Sequence, residues 1–283
     1  MSVSPSVLRS SILDPGTLFA VPPPPRDWLV KDLFPGGSTI LIGAHPGKGK
    51  SYFAMDLALA VASGQFFLGR PTDPEGGPQT ILYVDQENDL HTVRERAYKL
   101  FTGRELALED VDDYFHYLHI GLRDCNTPGD VALKLGPLVR ELQPNLLILD
   151  TWLSVMPLAD ENDNAESARA LAALRLIQAG NPSYMTTIIL AHLRKGGDVR
   201  DIRGAGHLKG ATDATYFLAR TGGRAGADGY YATDLFADKV RAADAAKRIR
   251  MRPYRVGPGE RLGVVTIRPN ETEEMESPAD SSD

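Results

Sequence analysis

The chain has one cysteine, Cys125, among its 283 residues. That excludes an internal disulfide and any zinc site built on several thiolates, and it suits a reducing compartment. No apolar run approaches the roughly 20 residues that a membrane span requires. The opening stretch, Met1 to Gly16, lacks the apolar core of a secretory signal. The expectation is a cytoplasmic protein with no membrane partner. Positive charge is also scarce: 31 Lys and Arg stand against 37 Asp and Glu, a formal net charge of −6, which at first sight argues against a nucleic-acid partner. The deficit is local. The segment Glu271 to Asp283 holds six acidic residues and no basic one, which accounts for the whole net charge and leaves the body neutral. Its composition is that of a solvated, disordered end.

What is present is ordinary for a globular chain, with 42% hydrophobic and 24% charged residues. The stretch up to Pro25 reads as an extended arm, stiffened by Pro22 to Pro25. Beyond it, apolar β-rich runs alternate with helical ones. Strands are expected at Ser38 to Gly43, Thr80 to Asp85, Tyr114 to Ile120, Leu146 to Asp150 and Thr186 to Ala191. Helices are expected from Ser51, over His91 to Phe101, Gly129 to Leu142 and Asn164 to Ala179. Further strands follow over Tyr231 to Lys239, Lys247 to Arg255 and Leu262 to Arg268. The alternation predicts an α/β fold with a mainly parallel central sheet flanked by helices, ending in antiparallel strands. The domain reading is an extended arm over 1–25, one α/β domain over 26–270 and an acidic tail over 271–283.

The strongest motif is the loop Gly43-Ala44-His45-Pro46-Gly47-Lys48-Gly49-Lys50-Ser51-Tyr52, set between a strand and a helix as a Walker A sequence must be. Such a loop wraps backbone N–H groups around phosphate oxygens, and Gly47 and Gly49 permit the required angles. The helix that begins near Lys50 turns its positive end toward the phosphates. Lys50 would reach the β- and γ-phosphates, and the Ser51 hydroxyl would bind Mg²⁺. The loop alone is equally consistent with ATP and GTP. Asp150 ends an apolar strand, as a Walker B carboxylate does, and would hold the same ion through water. Glu87 follows the second strand at the edge where parallel sheets bind ligands. From the residues alone it is either a solvated turn glutamate or the group that polarises the attacking water.

The run from Asp27-Trp28 through Leu33-Phe-Pro-Gly-Gly-Ser38 to the phosphate loop resembles the opening of RepA-type ATPases. These are the RecA-like hexameric helicases of some plasmids and phages. The resemblance continues in order through Ile81 to Glu87, Leu146 to Thr151, Asp160 to Asn164, His192 to Lys195, Ile202 to Gly204 with Asp213, and Lys239-Val-Arg241. It covers roughly residues 26 to 245. It implies that the RecA-like fold carries Mg-ATP hydrolysis, with Glu87 activating water and His192 sensing the γ-phosphate. It also implies a homo-oligomeric ring, most often hexameric, in which Lys239 and Arg241 reach a neighbour's nucleotide. This chain departs from the family at Ala205-Gly206, where serines are common, and at Ala191, where a second histidine is common.

In such rings the loops after the Walker B strand and the next strand line a channel for single-stranded DNA. The first here, Pro157 to Glu166, is acidic. The second, His192 to Gly210, carries Arg194, Lys195, Arg200, Arg203 and Lys209 against Asp198 and Asp201, which suits backbone-led, sequence-independent contact; the alternative is a solvated surface loop. A further cluster, Lys247, Arg248, Arg250, Arg252 and Arg255, is open to three readings: nucleic acid, a neighbouring subunit, or a solvated sheet edge. His116 and His119 have a metal-like spacing, but a strand turns their rings to opposite faces. The resulting expectation is a replicative DNA helicase. The alternative is a regulatory or defence ATPase that assembles without unwinding DNA.

Overall fold

The computed structural model describes residues 12, 14–20, 22–73, 77–160, 163–181, 185–193, 206–220, 233–242, 244–255 and 262–266, of which 17, 206–207, 252–255 and 262–266 are described by backbone alone. Among these residues a nine-stranded sheet carries the fold. Its strands are β3 (Thr39–Ala44), β4 (Ile81–Asp85), β5 (Phe115–His119), β6 (Leu146–Asp150), β7 (Thr186–His192), β8 (Ala214–Arg220), β9 (Thr233–Val240), β10 (Arg248–Arg255) and β11 (Leu262–Thr266). The spatial order is β11-β10-β9-β8-β3-β7-β6-β4-β5. Strands β5 through β8 in that order run parallel, and β9, β10 and β11 continue antiparallel. The expected α/β architecture with antiparallel terminal strands is the one observed.

Burial explains why the central strands read as unbroken apolar runs. Every residue of β4 and β6 is buried, because helices cover both faces of a parallel sheet. Ile40, Ile42 and Ala44 face one core with Tyr83 and Ile148, while Leu41 faces the other with Leu82, Leu147 and Phe217. Each such aliphatic burial contributes about 1.5–3 kcal/mol. The first face is covered by α2 (Lys50–Ser63) and α3 (Leu90–Gly103), and the second by α4 (Pro128–Leu142) and α6 (Asn164–Gln178). Two shorter helices, α5 (Trp152–Val155) and α7 (Gly206–Ala211), link β6 to α6 and lead into β8, and α1 (Pro15–Phe19) lies in the N-terminal arm.

Helix ends follow local chemistry. Asp89 caps α3 by accepting from Thr92 N, and Thr127 with Asp130 forms a capping box ahead of Pro128 on α4. Gly64 closes α2 at φ 69° with its N–H on Val61 O. A two-stranded ribbon, β1 (Trp28–Val30) with β2 (Phe34–Pro35), precedes β3. It is tied to the core by Tyr216, whose hydroxyl donates to Leu33 O at 2.8 Å and whose ring meets Phe34 edge-on at 5.5 Å.

Strand β8 is absent from the sequence-based expectations. Its small start, Ala214-Thr215, and its charged end, Arg220, give no clear period. Pairing with β3 on one side and β9 on the other makes it a strand. Also outside the expectations are the helix α1, within the stretch read as extended, and the short elements β1, β2, α5 and α7. The limits of the expected helices and strands fall within a few residues of those observed.

Candidate active site

The C-terminal ends of β3, β7, β6 and β4 lie side by side, with Ala44 in register with His192 and Asp85 with Asp150. The phosphate loop leaves β3 at this edge. Gly47 and Gly49 take φ of 73° and 87°, and a Cβ at either would touch nothing within 4 Å. Glycine is required there by backbone angle rather than by space. Gly43 is the opposite case: a Cβ would meet the Phe217 ring at 2.9 Å. Within the loop, His45 and Lys48 are partly exposed, Pro46 is exposed, and Tyr52 lies half-buried in the first turn of α2.

Lys50 is buried, and burial lowers its pKa, opposed by the negative charges of Asp150 and Glu87. Its Nζ lies 3.2 Å from His192 Nδ1. With the ammonium as donor, Nδ1 accepts and the ring proton sits on Nε2. Nε2 in turn faces Glu87 Oε1 at 3.4 Å. The other Glu87 oxygen accepts from Thr151 Oγ1 at 3.1 Å. The contact with His192 holds the Glu87 carboxyl below its ordinary range, against a smaller opposing effect of burial. Lys50, His192 and Glu87, expected from three distant parts of the chain, therefore form one continuous chain of contacts.

Asp150 has no exposed surface, and burial raises its carboxyl pKa. Oδ2 accepts from the Tyr83 hydroxyl at 2.7 Å, while Oδ1 has no partner of normal hydrogen-bond geometry. The Ser51 hydroxyl is close enough to lower the pKa of that carboxyl. A buried carboxylate oxygen without a donor, beside a hydroxyl at the mouth of a phosphate loop, fits a divalent cation. Ser51 and Asp150 are the residues that would hold it. Among the described residues no group of three or more His, Cys, Asp or Glu side chains forms a metal cluster elsewhere.

Four residues here escaped the sequence reading. Thr151 follows Asp150 across a cis peptide bond and supports Glu87. Tyr83 holds Asp150, as above. Asp85 holds the turn that bears Glu87: its Oδ1 accepts from Glu87 N at 2.8 Å and Asn88 N at 3.0 Å. Arg96 is buried beside the loop, 5.1 Å above the Tyr52 ring, with Nε and one terminal nitrogen lacking any acceptor. The available signal for Arg96 was its place on the stripe Val93, Arg96, Leu100, the residues of α3 that are buried.

The predicted intersubunit and DNA-binding residues are placed differently. Lys239 Nζ donates to the carbonyls of Gly210 at 3.1 Å and Thr212 at 2.6 Å, and Arg241 pairs with Asp213 at 2.8 Å. Lys239 is opposite Thr215, three residues before Leu218, the partner of Ala44; this offset is about 10 Å along the strand. Both cations thus lie toward the end of the sheet away from their own phosphate loop. Arg194, Lys195, Arg200 and Arg203 fall outside the described residues. Lys209 is described: it pairs with Asp238 at 2.5 Å and lies over the Phe217 ring at 5.8 Å. In the C-terminal basic cluster, Arg248 and Arg250 both bind the buried carboxylate of Asp234, the latter at 3.0 Å. They neutralise a buried charge, while their own side chains stay 60% and 40% exposed. The side chains of Arg252 and Arg255 lie outside the described ones. No helix of the described residues is long and apolar enough to cross a membrane.

Comparison with known proteins matches residues 4–198 to a family profile described as an AAA domain. The chain is 23% identical over 175 residues to the DNA repair protein RadA of Streptococcus pyogenes serotypes M6 and M18, covering 61% of this chain and 31% of RadA. It thus spans about a third of the length of those relatives. A KaiC-like protein from the hyperthermophilic archaeon Pyrococcus horikoshii superposes with a TM-score of 0.55 at 15% identity, covering 87% of this chain and all of that one. At that identity the likeness is one of fold.

Proposed function

Because this chain belongs to the AAA-domain family of RecA-like P-loop ATPases, we propose that it is a Mg-ATP-driven replicative helicase, assembling as a hexameric ring and translocating on single-stranded DNA. One observation carries the catalytic part: Lys50, His192 and Glu87 are joined in a line beside an Asp150 oxygen that lacks a donor. Hydrolysis requires water to attack the γ-phosphorus, lose a proton, and displace ADP through the β–γ bridging oxygen. Glu87, ionised and exposed on one side, is the acceptor for that proton. Lys50 and the N-terminus of α2 receive the phosphate charge. Mg²⁺, held by Ser51 and Asp150, would supply further neutralisation of the developing charge. His192 is the switch element: an ammonium drawn to a γ-phosphate leaves Nδ1, which changes what Nε2 presents to Glu87.

The ring is supported by the position of Lys239 and Arg241. They lie toward the end of the sheet away from their own phosphate loop, which fits a role at a neighbour's nucleotide better than at their own. An arginine supplied in this way can be worth about 10³–10⁵ in rate. DNA as the track is supported by the four basic residues Arg194, Lys195, Arg200 and Arg203 and by the likeness to a DNA repair protein. Steady-state phosphate release with and without single-stranded DNA, run beside strand displacement and native mass measurement with and without ATP, tests all three parts. DNA-stimulated turnover with unwinding by a hexamer is expected. A robust ATPase indifferent to every nucleic acid would sink the motor. The internal pairing of Lys209, Arg248 and Arg250 favours a second reading, a ring-forming regulatory or defence ATPase. That protein would hydrolyse ATP and assemble without unwinding DNA.

A further inference from the structure

Asp85 and Asp150 are register partners on β4 and β6, and both are fully buried. Residue type does not say which of the two serves a cation; their hydrogen bonds do. Asp85 is saturated. Oδ1 takes the N–H groups of Glu87 and Asn88, and Oδ2 takes Asn88 Nδ2 at 2.9 Å and the Tyr117 hydroxyl at 2.7 Å. Asp150 Oδ2 accepts from the Tyr83 hydroxyl at 2.7 Å, while Oδ1, with the Ser51 hydroxyl nearby, has no hydrogen bond of normal geometry.

The two phenols repeat one geometry. Tyr117 on β5 pairs with Tyr83 on β4, and each hydroxyl reaches the neighbouring strand two residues further along. That is the diagonal contact open to long side chains on one sheet face. The rings stack at 5.0 Å and 19°, so each braces the other. His119, in register with Asp85, closes the same turn by donating to Asn88 O at 2.9 Å.

We propose that Tyr83 and Tyr117 are positioning residues with separate tasks: Tyr83 fixes Asp150 so that Oδ1 is left for the cation beside Ser51, and Tyr117, through Asp85, fixes the turn that carries Glu87. This rests on the Mg-ATP reading above. Burial pushes both phenol pKa values well up, so each remains an O–H donor at any working pH. Asp85, with both oxygens occupied, is no ligand for the cation. Loss of one phenol therefore acts on metal affinity, and loss of the other on turnover.

Tyr83→Phe and Tyr117→Phe keep the stacked rings and remove one hydroxyl each. In the full chain, Mg²⁺ is titrated against binding of a fluorescent ATP analogue and against phosphate release, with thermal melts on the same samples. Tyr83→Phe is expected to raise the half-saturating Mg²⁺ concentration about 10-fold while nucleotide affinity in EDTA stays at the wild-type value. Tyr117→Phe is expected to lower kcat about 10-fold with both midpoints unchanged, and Asp85→Asn should repeat that signature by a second route. An unchanged Mg²⁺ midpoint in Tyr83→Phe overturns the assignment, whether or not its Tm falls. A shifted midpoint in both Tyr117→Phe and Asp85→Asn overturns the division of tasks. Wild-type protein that neither binds nor hydrolyses the nucleotide at any Mg²⁺ concentration defeats the ATPase reading instead of the clamp.

Discussion

Glu87→Gln removes one charge and almost nothing else. The carboxylate is 43% exposed and makes two contacts, to His192 at 3.4 Å and Thr151 at 3.1 Å. Glutamine retains an acceptor for one of them, so the fold should lose less than about 1 kcal/mol. The chemical step should lose far more. Removing a positioned general base costs about 10²–10⁴ in rate, or roughly 2.7–5.4 kcal/mol of barrier at about 1.36 kcal/mol per tenfold. ATP affinity should hold or tighten, because a negative charge leaves the neighbourhood of the phosphates. The sign of the pH effect follows from the lowered Glu87 carboxyl. A depressed carboxylate is already ionised above its ordinary range, so the wild-type to variant ratio should stay flat through neutral and alkaline pH. It should narrow only as the medium becomes acid enough to protonate Glu87. Single-turnover phosphate release, paired with equilibrium binding of a fluorescent ATP analogue, measures both quantities. A fall in kcat below about threefold, or a rate loss matched by lost affinity, would falsify the role of Glu87 as proton acceptor.

Lys50→Met should abolish turnover while the nucleotide-free protein melts at the same or a higher temperature. Burial opposes the Lys50 ammonium, and methionine has no charge to desolvate; a clear drop in calorimetric Tm would contradict this. Arg241→Ala should remove turnover and spare ATP binding, since its own partner Asp213 is a partly exposed pair worth about 1 kcal/mol or less. Mixing Arg241→Ala with Lys50→Met subunits should restore activity through interfaces that hold both intact residues, and an inactive mixture counts against action across the interface. Arg104→Ala should cost about 3–5 kcal/mol in denaturant unfolding, because Arg104 grips both oxygens of Asp56, at 2.7 and 2.9 Å, and that carboxylate is only 2% exposed. Burial already raises the Asp56 pKa. Without the arginine the penalty should be largest at neutral pH and shrink on acidification as the carboxyl protonates; a pH-independent loss would refute this.

The internal pairing of several basic residues is not visible along the chain. Lys209, Arg248 and Arg250 look like a basic surface along the chain, yet each is claimed by a carboxylate on a neighbouring strand, Asp238 or Asp234. Those partners lie 14 residues away or more. Nothing local marks such a pairing, because it exists only once β9 has taken its register. Arg96 is hidden for a similar reason: a charged residue in Arg94-Glu95-Arg96 reads as solvated until α3 turns that stripe onto α2.

The local features were legible without coordinates. The phosphate loop shows itself because Gly47 and Gly49 must adopt positive φ between a strand and a helix. Asp150 shows itself because it ends a run that only a doubly covered strand can bury. The alternation of such runs with helices determined the α/β class. Tertiary structure alone decided that β8 is a strand, that Lys50, His192 and Glu87 touch, and that Asp85 is saturated while Asp150 keeps an oxygen free. Those facts depend on which residues of different strands stand level with one another. Register is set by packing the whole sheet between its helices, and a one-residue slip would turn Asp85, Asp150 and His192 to the opposite face.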